Sequence, residues 1–340
     1  MRTIDWVDGT IELIDQTRLP DAVEMLRVAT VDDLIDAIRR LAVRGAPALG
    51  VAGGLGVALL AYQEPDLAAV EREAARLRAA RPTAVNLSWG VDRALRRLSA
   101  GPDAVLAEAL AIRDEDVLAS RSMGLYGADL VREFVPDRPA RILTICNTGG
   151  LAAVERGTAL GVIQTLHEQG AIEEVFPVET RPLLQGARLT AWELQRMGAP
   201  FRLLVDSAGP VLLARGLADA VLIGADRIAA NADVANKIGS YSLALAARHV
   251  GVPFIVVAPE STVDMTTNSG SDIEIEERGA DEVVAIRGTR TAPAGTRTFN
   301  PAFDVTPHQF ITAMVTDRRV VRIDRGETLH EVAQGPSRGA

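Results

Sequence analysis

Short apolar segments alternate with helical segments after Pro139, and this alternation constrains the fold more than any other feature of the sequence. Strands are predicted over residues 141–146, 174–179, 202–206, 220–225, 253–258 and 320–323. Helices are predicted between most of them, over residues 151–169, 183–197, 210–216 and 235–249. Parallel strands need long connections, and alternating helices supply them. The pattern therefore predicts an α/β fold built on a doubly wound parallel sheet.

The first part of the chain is predicted to be mainly helical. Asp8-Gly9 favours a small β-hairpin near the N-terminus. Residues 103–134 are predicted to form one long helix or two abutting ones, and the Pro-rich stretch 135–139 follows. We therefore predict an N-terminal helical domain over residues 1–135 and a sheet domain over residues 140–330.

An acid and a lysine follow the predicted strand 220–225. Asp226 comes where that apolar run ends, and Lys237 is the only lysine in a chain with 36 Lys and Arg residues. Ligands of open α/β sheets bind outside the carboxyl ends of the strands, so both residues lie where chemistry is expected. Asn236-Lys237 is predicted to open the next helix. Every other basic residue of the chain is arginine, which suggests that position 237 requires the compact ammonium group of lysine. The alternative is that this lysine has survived by chance on the surface.

The only cysteine, Cys146, ends the first predicted strand of the sheet and precedes Gly149-Gly150 and a predicted helix. A thiol at a helix N-terminus loses its proton more readily, and a Gly-rich turn offers N–H groups to an anion. Cys146 is therefore a candidate acid, base or nucleophile, and a small buried apolar side chain is the alternative. No nucleotide site is expected, because neither G-x-G-x-x-G after a strand nor G-x-x-x-x-G-K-[ST] occurs.

Two further segments carry groups suited to a phosphate or to hydroxyls. Arg44-Gly45-Ala46 lies between two predicted helices, where glycine lets the backbone approach a ligand and a helix N-terminus favours a phosphate. Tight helix packing is the alternative there. Residues 178–188 carry an acid, two arginines and an amide, so they are predicted to contact hydroxyls and phosphate. Helix capping by Thr180 and ordinary surface arginines are the alternative.

Composition argues against several classes of function. The formal net charge of -9 disfavours nonspecific binding of nucleic acid and docking on an anionic membrane. The uncharged run 46–63 contains Pro47 and four glycines, so it is predicted to be a buried helix. One cysteine and no apolar signal core near the N-terminus favour the cytoplasm. The histidines show no metal-ligand spacing, so no metal and no cofactor are expected.

Two candidate proton-handling groups, Cys146 and Asp226, thus lie at two predicted strand ends. Groups suited to a phosphate and to hydroxyls accompany them, without a cofactor pattern. This combination favours isomerisation of a sugar phosphate, which proton transfer can perform without a cofactor.

Long segments of the chain resemble those of the methylthioribose-1-phosphate isomerases. The similar segments are Arg-Gly-Ala-Pro-Ala-Leu-Gly, Arg81-Pro82-Thr83-Ala84-Val85-Asn86-Leu87, Ile-Cys-Asn-Thr-Gly, Glu-Thr-Arg-Pro-Leu-Leu-Gln-Gly-Ala-Arg-Leu-Thr-Ala-Trp-Glu-Leu, Gly-Ala-Asp-Arg-Ile-Ala-Ala-Asn, Asp-Val-Ala-Asn-Lys-Ile-Gly and Asn-Pro-Ala-Phe-Asp-Val-Thr-Pro. They occur in matching order over nearly the whole chain. The same superfamily includes regulatory subunits of translation initiation factor 2B, ribose-1,5-bisphosphate isomerase and 5-deoxyribose-1-phosphate isomerase.

The resemblance implies an N-terminal helical domain, a C-terminal Rossmann-like domain and a homodimer. It implies reversible conversion of 5-methylthioribose 1-phosphate to the ribulose 1-phosphate in methionine salvage, with Cys146 and Asp226 as the catalytic pair. It also implies a set of substrate contacts, namely Arg44, Gly45, Ala46, Arg81, Gln185, Asn236 and Lys237.

Three features beside the implied site depart from the usual pattern of those enzymes. Ile145 stands where they usually have His, Gly150 where they have Ala, and Phe176-Pro177-Val178 where an acid is more frequent. Proline within a strand also favours an edge position or a distortion. The departures leave open another 1-phosphopentose as substrate, either 5-deoxyribose 1-phosphate or ribose 1,5-bisphosphate. A noncatalytic regulatory subunit is the further alternative. An apolar pocket near Trp89 is suggested for the thioether.

Overall fold

The computed structural model describes residues 2–82 and 84–330. Three strands open the chain: β1 (Ile4–Val7), β2 (Thr10–Ile14) and β3 (Met25–Val28). They form an antiparallel sheet, and Asp8-Gly9 makes the first turn with both residues in the left-handed region. The predicted hairpin is therefore confirmed.

Helices make up most of the following hundred or so residues. They are α1 (Val31–Arg39), α2 (Ala46–Gln63), α3 (Leu67–Arg78), α4 (Val85–Leu95) and α5 (Pro102–Phe134). Helix α5 is one continuous helix. It ends just before the Pro-rich stretch, whereas the first strand of the large sheet begins at Ala140. The division into two domains at this stretch stays a prediction.

Helix α2 forms the core of this helical part. It is apolar on every side and packs against α3, α4 and α5. Glycines permit this close packing: a Cβ on Gly90 of α4 would lie 2.0 Å from the carbonyl oxygen of Gly50 in α2. By length and hydropathy α2 could span a membrane, but 72% of it is buried within the fold. A core helix explains its composition.

The rest of the described chain alternates strands and helices. The strands are β4 (Ala140–Thr144), β5 (Ile172–Pro177), β6 (Ala220–Ile223), β7 (Arg227–Ala229), β8 (Val234–Lys237), β9 (Phe254–Val257), β10 (Val263–Asp264), β11 (Ala285–Ile286), β12 (Thr289–Arg290), β13 (Phe303–Thr306), β14 (Ala313–Val315) and β15 (Val320–Val321). The helices are α6 (Ala159–Glu168), α7 (Ala191–Met197), α8 (Ala208–Ala214), α9 (Ser240–Val250) and α10 (Asp281–Val284).

The large sheet has the strand order β15-β14-β9-β6-β4-β5. Its strands are parallel except β15, which pairs antiparallel with β14. Strand β5 is an edge strand, as Pro177 led us to expect. The predicted α/β fold with a helical N-terminal part and a parallel sheet is confirmed. A smaller sheet, ordered β10-β7-β8-β13, lies beyond the carboxyl end of β6.

Several predicted elements differ in the structure. Residues 202–206 form no strand; Phe201 and Leu204 make only single bridges to β5 and to Val178. Strand β14 was not predicted, because its three residues are too short to show a pattern. The segment 235–249 was predicted to be one helix, but β8 occupies its start and α9 begins only at Ser240. Buried pairing with β7 and β13 on both sides overrides the local helical pattern.

Candidate active site

One cavity opens at the carboxyl edge of the large sheet, where the turn before α2 meets the ends of β4 and β6. All nine residues implied by the sequence line it: Arg44, Gly45, Ala46, Arg81, Cys146, Gln185, Asp226, Asn236 and Lys237. These residues come from segments almost two hundred positions apart. The structure thus brings the whole set together, while their individual roles stay predictions.

Cys146 follows β4 in a strained conformation. Its φ of 65° lies in the left-handed region, which a residue with a Cβ rarely adopts. Two threonine hydroxyls hold it there: the Cys146 N–H donates to Thr180 Oγ1 at 2.9 Å, and Thr190 Oγ1 donates to the Cys146 carbonyl at 2.6 Å. The side chain is 8% exposed and faces the cavity. Strain at a cavity wall is typical of functional positions.

The prediction that Cys146 lies at a helix N-terminus is wrong. The segment 151–169 was predicted to be a helix that begins just after the Gly-rich turn. Only a short 3-10 turn, Gly150–Ala152, forms there, and α6 begins at Ala159. Cys146 therefore does not lie at a helix N-terminus. Burial and nearby cations, rather than a helix dipole, set its surroundings.

Asp226 lies just beyond β6 and faces the cavity. Its carboxyl group accepts no hydrogen bond from the residues that the structure describes. Burial raises its pKa above the ordinary value, and the charges of Lys237, Arg81 and Arg44 offset only part of this effect. An acid in this setting is poised to exchange a proton rather than to stay permanently ionised.

Lys237 projects into the same cavity from β8 rather than from the helix start predicted for it. Its ammonium group donates to the carbonyl of Ala302 at 2.7 Å and lies 4.6 Å from the ring centroid of Phe303. Burial lowers the pKa of Lys237, whereas Cys146 and Asp226 raise it. The lysine is therefore close enough to both candidate reacting groups to feel their charge.

The N-terminal part contributes Arg44, Gly45 and Ala46 at the start of α2. Gly45 caps the helix with φ 95°, and a Cβ at this position would lie 2.5 Å from the Cα and carbonyl oxygen of Ala152. Only glycine fits this contact between the two parts of the chain. Ala46 and Pro47 at the start of α2 also line the cavity, and a helix N-terminus is a common place for phosphate binding.

Three other side chains present polar groups to the cavity. Arg81 Nη2 lies 3.3 Å from a carboxylate oxygen of Glu276, and its buried Nε has no partner among the described residues. Gln185 is 5% exposed, and its Oε1 also has no partner within the described part of the chain. Asn236 donates to Ser240 Oγ at 2.8 Å. Unsatisfied buried polar atoms beside a cavity favour a polar ligand.

Residues 178–188 only partly behave as predicted. Gln185 lines the cavity, but the two arginines of the segment fasten other loops. Arg188 donates to the carbonyls of Leu183, Gln16 and Leu19, and Arg181 donates to those of Pro182 and Val283. Arg181 and Arg188 are therefore structural, and neither is among the residues that line the cavity.

The sequence did not single out several lining residues, including Asn147, Thr158, Arg278 and Phe303. Asn147 follows Cys146 directly, so its position was a usable signal. Arg278 lies in an irregular segment and carried no pattern. Trp89 lines a different cavity, together with Asn86 and Asp116, so the suggestion of a thioether pocket near it stays a prediction. Among the described residues, no group of three His, Cys, Asp or Glu side chains could hold a metal ion.

Comparison with known proteins places this geometry in a family. The sequence pattern of the initiation factor 2 subunit family matches residues 42–322. A methylthioribose-1-phosphate isomerase of Pelotomaculum thermopropionicum is 48% identical over 99% of this chain and 95% of its own length. A probable bifunctional methylthioribose-1-phosphate isomerase/methylthioribulose-1-phosphate dehydratase of Nocardia farcinica is 54% identical over 94% of this chain. The chain spans only 60% of that longer relative.

Two further proteins bear on the substrate. A 5-deoxyribose 1-phosphate isomerase of Moorella thermoacetica is 46% identical over 98% of both chains. The crystal structure of 5-methylthioribose 1-phosphate isomerase from Pyrococcus horikoshii superposes with a TM-score of 0.86 at 41% identity, covering 94% of this chain and 92% of the other. The chain therefore belongs to the initiation factor 2 subunit family, among its methylthioribose-1-phosphate isomerases.

Proposed function

We propose that this chain converts 5-methylthio-α-D-ribose 1-phosphate to 5-methylthio-D-ribulose 1-phosphate, an aldose–ketose isomerisation in methionine salvage. The observation that carries the proposal is the meeting of Cys146 and Asp226, from two different strand ends, in one cavity with Lys237. A regulatory subunit without catalysis has no need for a strained cysteine and an unpaired buried acid facing each other across a cavity.

The reaction needs two chemical steps. The phosphate sits on the anomeric oxygen, so the sugar has no free aldehyde and its ring must open first. Asp226 exchanges the proton at this step, because burial raises its pKa above the ordinary value of a carboxyl group and so eases transfer of the proton in either direction. A hydrogen then moves from C2 to C1. It moves either as a proton through an enediolate or as a hydride while the C2 hydroxyl loses its proton. Both routes give the same ketose 1-phosphate.

Cys146 assists this second step from the opposite wall of the cavity. Its thiol exchanges a proton with the sugar or stabilises developing charge there. Lys237 stabilises negative oxygen atoms, because its ammonium charge lies in surroundings of low polarity. The buried unsatisfied oxygen of Gln185 is suited to accept a hydrogen bond from a sugar hydroxyl.

The phosphate is proposed to lie against the turn that starts α2. The N-terminal end of the helix and the arginine charges supply what a dianion needs. Arg44, Gly45, Ala46 and Arg81 are accordingly the proposed contacts on this wall. The negative net charge of the chain does not oppose this, because the local charge at the cavity is positive.

The 5-substituent is proposed to enter a small recess that adjoins the cavity. Leu49, Ala84, Val85 and Phe303 provide its apolar surface, and it shares Asp226 with the main cavity. A methylthio or methyl group fits the apolar part of these walls. The recess accepts 5-deoxyribose 1-phosphate, the substrate named for the Moorella relative.

The active form is proposed to be a cytoplasmic homodimer that binds neither nucleic acid nor membrane. The single cysteine and the negative net charge support this proposal. Light scattering on the purified protein tests the dimer; a mass near 36.2 kDa, that of one chain, contradicts it.

Proton NMR of the purified protein with 5-methylthioribose 1-phosphate and, separately, with 5-deoxyribose 1-phosphate tests the function. We expect a higher kcat/KM for the thio sugar, and a fall in turnover of about 100-fold or more in Cys146→Ser, as for loss of a proton-transferring group. A preference for the deoxy sugar would keep the reaction and change the substrate. Absence of turnover with both sugars would refute the proposal.

A further inference from the structure

Glu193 is an acid enclosed beside the active site that the chemistry above does not use. It lies on α7, and its Oε1 accepts a hydrogen bond from Asn147 Nδ2 at 2.7 Å. The main chain makes room for it: a Cβ on Gly149 would lie 2.4 Å and 2.5 Å from its two carboxylate oxygens. The turn after Cys146 is thus shaped around this carboxylate, which points to more than incidental burial.

Asn147 connects this acid to the cavity wall. Its Oδ1 accepts from Arg44 Nη1 at 2.9 Å, and its main-chain carbonyl accepts from Arg44 Nη2 at 2.7 Å. The amide can point only one way, because the reverse orientation would set its NH₂ group against the guanidinium donors. Glu193 holds the Asn147 amide together with Thr190 Oγ1, to which Asn147 Nδ2 donates at the longer distance of 3.3 Å, and the amide in turn holds Arg44.

The charges along this chain of contacts are complementary. Arg44 has no carboxylate within ion-pair distance among the residues that the structure describes, and Asn147 stands between it and Glu193. Burial raises the pKa of Glu193, while Asn147, the N–H groups of Gly150 and Leu151, and the charge of Arg44 lower it. An acid and a guanidinium are thus joined through one neutral amide.

We propose that Glu193 is a positioning residue that, through Asn147, aims the Arg44 guanidinium at the anionic group of the substrate. The inference rests on the proposed function, since it concerns the same cavity. Arg44 is carried by the turn before α2, whereas Glu193 and Asn147 belong to the sheet domain. The contact therefore also sets the cation from one part of the chain against the reacting groups of the other.

Two substitutions separate position from charge. Glu193→Asp keeps the charge but shortens the side chain by one methylene, so the carboxylate no longer reaches Asn147. Glu193→Gln keeps the reach and an acceptor oxygen but removes the charge. Glu71→Asp, on an exposed part of α3, is the matched control for the shorter acid. Positioning predicts that Asp is the more damaging replacement and that Gln largely restores function.

The readouts are kcat and KM for 5-methylthioribose 1-phosphate and the Kd of inorganic phosphate by calorimetry. In Glu193→Asp we expect KM and Kd to rise about 10-fold, the size of one lost hydrogen bond to a charged group, with kcat changed less than about 3-fold. In Glu193→Gln both constants should rise by less than in Glu193→Asp, because Gln can still accept from Asn147 although its NH₂ group cannot accept from the N–H groups of Gly150 and Leu151. Glu71→Asp should match the wild type.

A double-mutant cycle with Arg44→Ala shows whether the effect passes through Arg44. In that background Glu193→Asp should add less than about 2-fold to the phosphate Kd, because the group being aimed is gone. An equal effect in both backgrounds, a larger effect of Gln than of Asp, or no phosphate binding by the wild type would overturn the inference. Phosphate binding that follows this pattern without turnover of the sugar would instead refute only the proposed function.

Discussion

The two ends of strand β6 carry aspartates with opposite surroundings. Asp219 precedes the strand and accepts hydrogen bonds from both Arg138 and Arg141, as well as from the Arg141 N–H. Asp226 follows the strand and accepts none from the described residues. The hydrogen bonds and charges of the arginines hold the pKa of Asp219 well below its usual range despite partial burial, whereas burial raises that of Asp226.

This difference separates a structural carboxylate from one kept available for chemistry. At the amino end the charge is satisfied and fastens neighbouring strands together. At the carboxyl end the carboxyl group accepts no hydrogen bond from the described residues, and it lies partly buried at the wall of the cavity. The contrast teaches that unsatisfied groups, more than residue type, mark the functional edge of this sheet.

Exchange of each aspartate for asparagine gives the largest expected effect. Asp226→Asn should lower turnover of 5-methylthioribose 1-phosphate by about 1000-fold, because the amide cannot exchange the proton needed for ring opening. Asp219→Asn should keep turnover within about 3-fold, since it touches only the amino edge. Proton NMR rates at 25 °C check both. Near-normal turnover by Asp226→Asn would show that the aspartate at the carboxyl end of β6 is no more catalytic than the one at the amino end.

The enclosure of the carboxyl edge can be tested at Gly45. Gly45→Ala should lower the stability of the protein by about 3 kcal/mol and disturb the cavity, because the new Cβ meets the Ala152 backbone. Gly101→Ala is the matched control: its φ is 94° against 95° at Gly45, but a Cβ there meets nothing within 4 Å.

Thermal unfolding of the two variants and their turnover provide the measurement. The control should lose less stability, about 2 kcal/mol, because its φ of 94° and ψ of 169° lie in a region that residues with a Cβ rarely adopt. Equal losses in the two variants would mean that the backbone conformation, and not the contact with Ala152, decides the effect.

The smallest expected effect is a change in stability of opposite sign at the two ends. The raised pKa of Asp226 means that the folded state binds this proton more tightly than the unfolded state. The wild type therefore loses stability as pH rises from about 4 through the raised pKa, and Asp226→Asn should gain in Tm relative to it by about 2–4 °C at pH 8. The gain should vanish near pH 4.

Asp219 gives the reverse sign. Its lowered pKa contributes stability above the ordinary value, so Asp219→Asn should melt about 2–4 °C below the wild type at pH 8. The deficit should begin to shrink as pH falls below about 4, where the unfolded chain takes up this proton while the folded protein still holds the carboxylate ionised. Calorimetric scans from pH 3.5 to pH 8 compare the two variants. A shift of the same sign in both would contradict the assignment of Asp226 as an unsatisfied buried acid.

Much of the fold could be predicted from the sequence, because the patterns that indicate strands and turns are local. Apolar runs of strand length, the turn chemistry of Asp8-Gly9 and the edge preference of Pro177 each depend on a few neighbouring residues. Secondary structure was predicted wrongly where pairing with residues distant in the sequence decides the conformation. Asn236 and Lys237 lie on a strand because β13, some 65 residues later, pairs with them.

Residue types at strand ends were enough to name Cys146, Asp226 and Lys237 as candidates, since the carboxyl edge of a parallel sheet is a known place for ligands. The strain at Cys146, the missing partners of Asp226 and the path from Glu193 to Arg44 were decided only by tertiary structure. The physical reason is that burial and hydrogen bonding depend on which segments meet. Here the turn before α2 meets the loops after β4 and β6 at contacts as close as that of Gly45 with Ala152.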